Sequence, residues 1–339
     1  MRRVAALLAV LLCGCAEMYF KDQPLMRRWP VMGTYAEATV WGDGPMQARA
    51  MEHLRDSLDR SDLAMSNWRP DSGLNQLNRD ARAGEALAAD PVLAECVAAA
   101  LDGAQATGGA FDPTVGPLMV VWGIRPGPRR APEDAEIEAT LQDVGWEKVH
   151  RQGRRLRFET RGMELDLGGI GKGCALDAAV REAMLDTRAG ILDLGRSFGV
   201  WGYPPEGVWH IAMTAPEDAE DVFATLSLDA PAYVSTSSQE ENPGHIVDPK
   251  TGRPAETDII SATAIAPTGT VSDLLSTALF VAGSARAGGI LESYPGSHAV
   301  LLVREGGALT LLASAALEKR LRIEDEWRGR LASVEFTLP

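Results

Sequence analysis

The stretch ELDLGGIGKG, Glu164 to Gly173, constrains this chain most, because an apolar strand-like run meets four crowded glycines and then the helical sequence Cys174 to Leu185. Glycines let a ligand approach the backbone closely, and the N–H groups and positive dipole end of a helix start favour an anion there. The spacing excludes two common phosphate motifs. Gly168, Gly169, Gly171 and Gly173 do not fit G-x-G-x-x-G, and Lys172-Gly173 is not followed by the Ser or Thr of a P-loop. Alone, the segment reads equally well as a tight strand-to-helix turn, so the argument for a ligand rests on the company it keeps.

The first fifteen residues bear on the compartment. Arg2 and Arg3 precede an apolar run from Val4 to Leu12 and then Cys13-Gly14-Cys15. This pattern predicts a secretory signal peptide, too short to span a bilayer. Leu12 to Cys15 also resembles a bacterial lipobox, which implies cleavage before Cys15, acylation of its thiol and an exported lipoprotein held at a membrane; the alternative is an ordinary cleaved signal without lipid. The expected organisation is residues 1–14 as signal peptide, 15–27 as lipid-anchored tether and 28–339 as one domain.

Removing residues 1–14 leaves 339 − 14 = 325 residues and, without Arg2 and Arg3, moves the formal charge from −14 to −16. Such an acidic body argues against a nucleic-acid partner, which demands a basic face. Besides the anchor only Cys96 and Cys174 remain. Two widely separated cysteines are neither a disulfide framework nor a zinc site, and the sequence leaves their pairing open.

Helices and short strands are mixed rather than strictly alternating. Met51, Leu54 and Leu58 share a helical face; Pro91 starts a helix over Val92 to Thr107 that Gly108-Gly109 ends; Ile137, Leu141 and Val144 form another, closed by Gly145. Leu156 to Thr160 and Met163 to Leu167 read as strands about an Arg161-Gly162 turn, and further strands are expected at 191–194, 209–213, 224–228, 232–236, 261–266, 298–303, 309–312 and 333–338. Gly123 to Pro132 reads as an exposed loop. The pattern predicts an α+β fold with mixed or antiparallel sheets flanked by helices.

Four further segments carry chemistry. In SDLLSTALFVAG, Asp273 opens an apolar helix and Thr277 follows at i+4, placing carboxylate and hydroxyl on one face. With a main-chain carbonyl from the glycine loop they make a hard-oxygen set suited to Mg²⁺; the plainer reading makes Asp273 a helix N-cap. In HIVDPKTGRP, His245 sits on a loop as a candidate general base or flavin contact, the plainer reading being a histidine that is merely hydrogen-bonded, and Asp248 before Pro249 reads as a turn former. GGAFDPTVGPL offers Phe111 to flank a ring and Asp112 or main-chain groups to meet polar atoms. Met32-Gly33-Thr34 and MSNWRPDSGLNQLN supply a thioether and the Trp68 indole, both able to sandwich a planar ring or simply to fill a core.

In this order, the motifs MGT, SNWRPDSGLNQLN, GAFDPTVGPL, DLGGIGKG, VSTS, HIVDPKTGRP and SDLLSTAL resemble the ApbE family of bacterial periplasmic FAD:protein FMN transferases, from about Trp29 to the end of the chain. The resemblance implies that family's architecture with FAD held in a cleft, FAD as donor, Mg²⁺ as metal, and a Thr or Ser hydroxyl of an acceptor protein as the group that takes FMN in phosphoester linkage while AMP leaves. It implies acceptors among subunits of membrane or periplasmic redox complexes. Residue by residue, it assigns Met32 and Trp68 to the isoalloxazine, Ala110, Phe111 and Asp112 to a FAD-contacting loop, and Gly168, Cys174 and Asp177 to the nucleotide. The Gly171 carbonyl, Asp273 and Thr277 become the metal ligands, His245 and Ile246 a FAD-side loop, and His245 with Asp273 the catalytic pair. Lys172 or the helix start at Gly173 would support the leaving AMP. Three departures stand out: Cys174 replaces a usual tyrosine, Gly195-Arg196-Ser197 replaces paired glycines, and Ser238-Gln239-Glu240-Glu241 replaces a glycine and tyrosine after VSTS. The alternatives are a metal-dependent FAD pyrophosphatase and a non-catalytic FAD-binding accessory lipoprotein.

Overall fold

A computed structural model describes residues 23–339 apart from 82–86, 89, 126 and 240–242. The signal-peptide and lipobox readings, with Cys15, fall on residues 1–22 and lie outside the described residues, as do Glu240 and Glu241. Among the described residues no helix is long and apolar enough to cross a membrane.

The chain opens with a hairpin of β1 (Leu25–Val31) and β2 (Thr34–Trp41), then α1 (Gly44–Met65), α2 (Gly73–Ala81), β3 (Leu87–Ala88), α3 (Pro91–Ala106), α4 (Gly116–Val121) and α5 (Asp134–Leu141). A second hairpin, β4 (Val149–Gln152) and β5 (Arg155–Phe158), leads to α6 (Gly171–Ala183), β6 (Ala189–Leu194), β7 (Ser197–Trp201), β8 (Trp209–Ala215), β9 (Asp218–Leu228) and β10 (Ala232–Ser238). The last third holds β11 (Ile259–Ala266), α7 (Gly269–Ala282), α8 (Ser284–Glu292), β12 (His298–Glu305), β13 (Ala308–Ser314), β14 (Leu321–Ile323), α9 (Asp325–Arg328) and β15 (Ser333–Leu338).

Nine strands form one sheet in the order β1-β2-β6-β7-β10-β11-β12-β13-β15. Every neighbouring pair is antiparallel except β13 with β15, so the sheet is mixed but almost wholly antiparallel, in keeping with the α+β pattern of the sequence. Two short three-stranded sheets, β14-β9-β8 and β3-β5-β4, accompany it. The central strands are buried on both faces. Along β12, Ala299, Leu301 and Val303 enter the core shared with the helices, while Val300 and Leu302 enter a second core against β8 and β9. Alternation thus sends neighbouring apolar residues into different cores, which is why the strand reads as one unbroken hydrophobic run.

On the helical face α1 packs on α6, α6 on α7, and α7 on β10 and β11. Met51, Leu54 and Leu58 of α1 are buried, as their spacing predicts. α3 begins at Pro91, with Asp90 accepting from the Val92 N–H, in keeping with the sequence signals. The expected strands from 189 onward all form. Two expectations need correcting. The hairpin before the glycine loop turns at Gly153 (φ +60°), pairing 149–152 with 155–158, and Met163–Leu167 is not a strand. Its backbone is held by other groups: Asn78 accepts from the Leu165 N–H at 2.8 Å and donates to the Leu165 carbonyl at 2.9 Å, and Asp166 N–H donates to the Pro113 carbonyl. Side-chain amides supply what a neighbouring strand would have supplied. At the other end, β1 already starts at Leu25, paired with Val40, so the strand takes in the last residues of the stretch read as a tether.

Candidate functional site

An open cavity of about 610 Å³ lies where the glycine loop, the start of α6, α7, the end of β10 and the loops around 110, 125 and 245 converge. Trp68, Ala110, Phe111, Asp112, Gly168, His245, Ile246, Asp273 and Thr277 all line it. Met32, Gly171, Cys174 and Asp177 are not among its lining residues.

The floor is an arrangement of helix ends. Gly173 of α6 and Gly269 of α7 approach so closely that a Cβ on Gly173 would lie 2.1 Å from the Gly269 carbonyl oxygen and 2.8 Å from the Asp273 Cβ. None of the four loop glycines has a positive φ. Their lack of a side chain serves space rather than left-handed backbone. A Cβ on Gly169 would come within 3.0 Å of Thr277 Oγ1 and 3.2 Å of Phe111.

Thr268, not Asp273, caps α7, its hydroxyl oxygen accepting from the Val271 N–H. Asp273 sits one turn inside, is 4 % exposed, and reaches across the helix crossing. Its Oδ2 accepts the Gly173 N–H at 2.9 Å and its Oδ1 accepts the Ser197 hydroxyl at 3.3 Å. The Gly173 N–H that the sequence offers to a phosphate is therefore already given to a carboxylate. The loop spends other amides internally too: Gly168 N–H on Asp166 Oδ1, and both Ile170 and Gly171 N–H on the Leu167 carbonyl. Thus the loop is less an anion cradle than a platform for Asp273.

Among the described residues no basic side chain forms an ion pair with Asp273. A buried carboxylate of this kind is costly unless something positive joins it. Thr277 lies one turn on, its hydroxyl 3.4 Å from the Asp273 carbonyl and 3.3 Å from the Ser237 hydroxyl. Among the described residues no cluster of three or more His, Cys, Asp or Glu side chains could hold a metal by itself. A hard cation here would use one carboxylate, a hydroxyl, a main-chain oxygen, water and ligand phosphates, a donor set that Mg²⁺ accepts.

Two residues assigned to the nucleotide are occupied elsewhere. Cys174 forms a disulfide with Cys96, linking the first turn of α6 to α3. Asp177 caps α7, accepting from the Gly269 N–H at 2.7 Å, the Thr270 N–H at 2.9 Å and the Thr270 hydroxyl at 2.6 Å. Met32 (φ +51°) forms the β1–β2 turn with Gly33 and packs partly on the main core. Gly171 is buried in the first turn of α6.

The walls carry more charge than the floor. Arg125, Arg129, Lys172 and Arg196 line the cavity against Asp112, Asp166 and Asp273, an excess of cations in an acidic chain. Lys172 donates to the Gly195 carbonyl at 3.1 Å. Asp112 pins its loop, accepting from the Thr114 N–H and hydroxyl and from the Trp146 N–H. Burial pushes the Asp112 carboxyl above its ordinary range, and those hydrogen bonds hold the rise back. On the rim Trp68 is 64 % exposed. Its loop is rigid by construction: Asn75 donates to the Ser66, Asn67 and Arg69 carbonyls, and Asn67 accepts from Leu167 N–H while donating to Asp166. Arg129 donates to the Pro243 carbonyl, bridging the loops of 123–132 and 239–246.

Sequence reasoning missed three residues here. In the sequence Ser197 stands out only as a departure and Asn67 only as part of a motif, and Arg125 falls in a stretch that reads as an exposed loop although it is 4 % exposed. For Asn67, Asn75 and Asn78 the repeated Asn within one motif was a readable sign of side chains bonding backbone. For Arg125 no signal existed, since its burial depends on carboxylates about forty residues away in sequence.

Fold and cavity define an α+β protein with an acidic, hard-oxygen floor beneath a cation-rich wall. Its sequence matches the model of the ApbE family over residues 32–302, and the chain belongs to that family. It is 30 % identical to the FAD:protein FMN transferase of Escherichia coli K12, over 90 % of this chain and 93 % of that protein, and 29 % identical to the one of Treponema pallidum, over 87 % and 88 %. Among solved structures, the flavin transferase ApbE of Vibrio cholerae superposes with a TM-score of 0.80 at 24 % identity, covering 88 % of this chain and 99 % of that one. The apo flavinyl transferase ApbE of Pseudomonas stutzeri gives 0.78 at 26 % identity, covering 88 % and 97 %.

Proposed function

We propose that this protein transfers FMN from FAD to a Thr or Ser hydroxyl of an acceptor protein, forming a phosphoester and releasing AMP. The observation that carries the reading is Asp273, a buried carboxylate held by Gly173 and Ser197 at the cavity floor and, among the described residues, in no ion pair with a basic side chain. Mg²⁺ held by Asp273, Thr277 and the Gly171 carbonyl would supply charge neutralisation and Lewis acidity at the FAD pyrophosphate. Phosphoryl transfer asks little covalent chemistry of a protein, but it does ask for aligned reactants and a stabilised leaving charge. Lys172, on the cavity wall, has ammonium protons beyond the one given to Gly195 to meet a phosphate oxygen. His245, on the opposite loop, takes the proton from the attacking hydroxyl, a step worth about 10²–10⁴-fold. Trp68 offers a flat apolar face to the flavin ring.

Export to an oxidising compartment, with an acceptor among membrane or periplasmic redox proteins, belongs to the same proposal. The Cys96–Cys174 disulfide supports it, since such bonds persist outside reducing cytoplasm. The test is intact mass spectrometry of an acceptor domain after incubation with this protein, FAD and Mg²⁺. A mass gain equal to one FMN, lost when Mg²⁺ is chelated, is the expected result. FAD cleaved to free FMN and AMP with the acceptor unmodified would overturn it in favour of a pyrophosphatase.

A further inference from the structure

Arg125 is the cavity's unfinished residue. Its backbone is fixed, with Ile124 and Arg125 N–H groups both donating to the Met119 carbonyl at the end of α4. The chain then folds back so tightly that a Cβ on Gly123 (φ +63°) would lie 2.2 Å from the Pro128 carbonyl oxygen. The guanidinium is thereby held inside the wall, 3.5 Å from Glu164 Oε2 through Nη2 and 3.4 Å from Asp166 Oδ2 through Nε. Nη2 donates a long hydrogen bond to Glu164, but the Asp166 contact is an ion pair without one: Arg125 Nε and Nη1, and Asp166 Oδ2, are buried with no hydrogen-bond partner. Buried donors and acceptors are rarely left so, and both residues line the cavity. The other Asp166 oxygen is committed to the Gly168 N–H and to Asn67, the neighbour of Trp68.

We infer that Arg125 and Asp166 form a reading dyad for the edge of a planar nitrogen heterocycle, the guanidinium donating to a ring acceptor and the carboxylate accepting the adjacent N–H. The inference rests on the transferase reading only in taking FAD as the source of that ring. Two edges of FAD have this alternation: the imide edge of the isoalloxazine and the amino edge of adenine. Neither the floor nor the metal ligands provide such discrimination, so the dyad sets which ring is accepted and in which orientation.

The experiment is titration of the protein, wild type and Arg125→Lys, with riboflavin followed by its fluorescence and with AMP by calorimetry. Lysine keeps the charge between Glu164 and Asp166 but not the planar fork. Loss of a charge-assisted hydrogen bond should weaken one of the two ligands by about 10–100-fold and leave the other unchanged. Weakened riboflavin places the flavin edge at the dyad; weakened AMP places adenine there. Equal affinities in both proteins, equal weakening of both ligands, or no binding of either by wild type would overturn the dyad. A second measurement probes Asp166 without mutating it. Ligand methylated at the reading edge, 3-methylriboflavin or N6,N6-dimethyl-AMP, should bind wild type at least about tenfold more weakly than its parent, whereas undiminished binding overturns the carboxylate's part. Wild type that binds FAD yet passes no FMN to an acceptor would defeat the transferase reading while these binding curves still decide the dyad.

Discussion

Floor and rim of the cavity are built on opposite rules. At the floor, two helix starts cross through Gly173 and Gly269, and the Asp273 oxygens are each anchored by a donor. At the rim, Trp68 stands mostly exposed, and inside the wall Arg125 keeps two buried donors without a hydrogen-bond partner. The floor is therefore arranged before any ligand arrives, and what it lacks is positive charge. The rim is arranged in backbone, but its indole faces solvent rather than protein. Preorganised charge sites favour the transition state, whereas a site finished by ligand contributes mainly to binding and selection.

That contrast breaks most sharply at Asp273. Asp273→Ala should lower FMN transfer by about 10²–10³-fold or more, measured by mass gain of the acceptor, with FAD binding by the rim reduced far less. A variant that retains full transfer would overturn the proposal that a metal ion is held at Asp273. Next comes the disulfide that ties the floor helix to α3. Cys96→Ser with Cys174→Ser opens a loop with a sequence separation of 78 residues. The loss of stability should be about 4 kcal/mol, read by chemical denaturation. At the rim, Trp68→Ala should weaken FAD by about threefold to tenfold, with unchanged unfolding, because the indole is exposed in the unliganded protein. A fall in stability as large as that from the cysteine pair would mean the rim is structural after all.

The smallest effect concerns Asp112, which lies between the two regions. Burial raises its folded carboxyl above the unfolded value of 3.8. Folding then favours the protonated form, so its contribution is greatest at low pH and is lost as pH climbs from the ordinary carboxylate range through the raised folded value. The stability of wild type relative to Asp112→Asn should therefore decline over that climb, as denaturant midpoints at successive pH values would record. A gap that widens with rising pH would mean the Thr114 and Trp146 hydrogen bonds outweigh burial.

Much of the fold was legible because local signals and tertiary burial agree. Pro91 after Asp90 started α3, and strands from Ala189 onward announced themselves by apolar runs. Met163–Leu167 misled for a physical reason: its residues are apolar and extended, but Asn78 and Pro113 satisfy its backbone in place of a neighbouring strand. At the site, the order of motifs brought Trp68, Phe111, His245, Asp273 and Thr277 to one cavity. What stayed hidden were partners set by long-range geometry. Nothing local tells that Gly173 N–H is spent on Asp273, that Asp177 caps a helix about ninety residues away, or that Arg125 turns inward.

The strand order of the large sheet has a consequence for how the molecule is made. From β1 to β15 the strands succeed one another in space as they do in the chain, with only the small sheets set aside. Each arriving strand finds its neighbour already present, so the sheet is laid down from one edge to the other as the polypeptide emerges, N-terminus first. The last strand of the order, β15, pairs in parallel with β13. Until Ser333–Leu338 is in place, the outer side of β13 is an open edge of unpaired backbone groups. A chain interrupted before Ser333 would thus present a sticky border rather than a shortened but finished sheet.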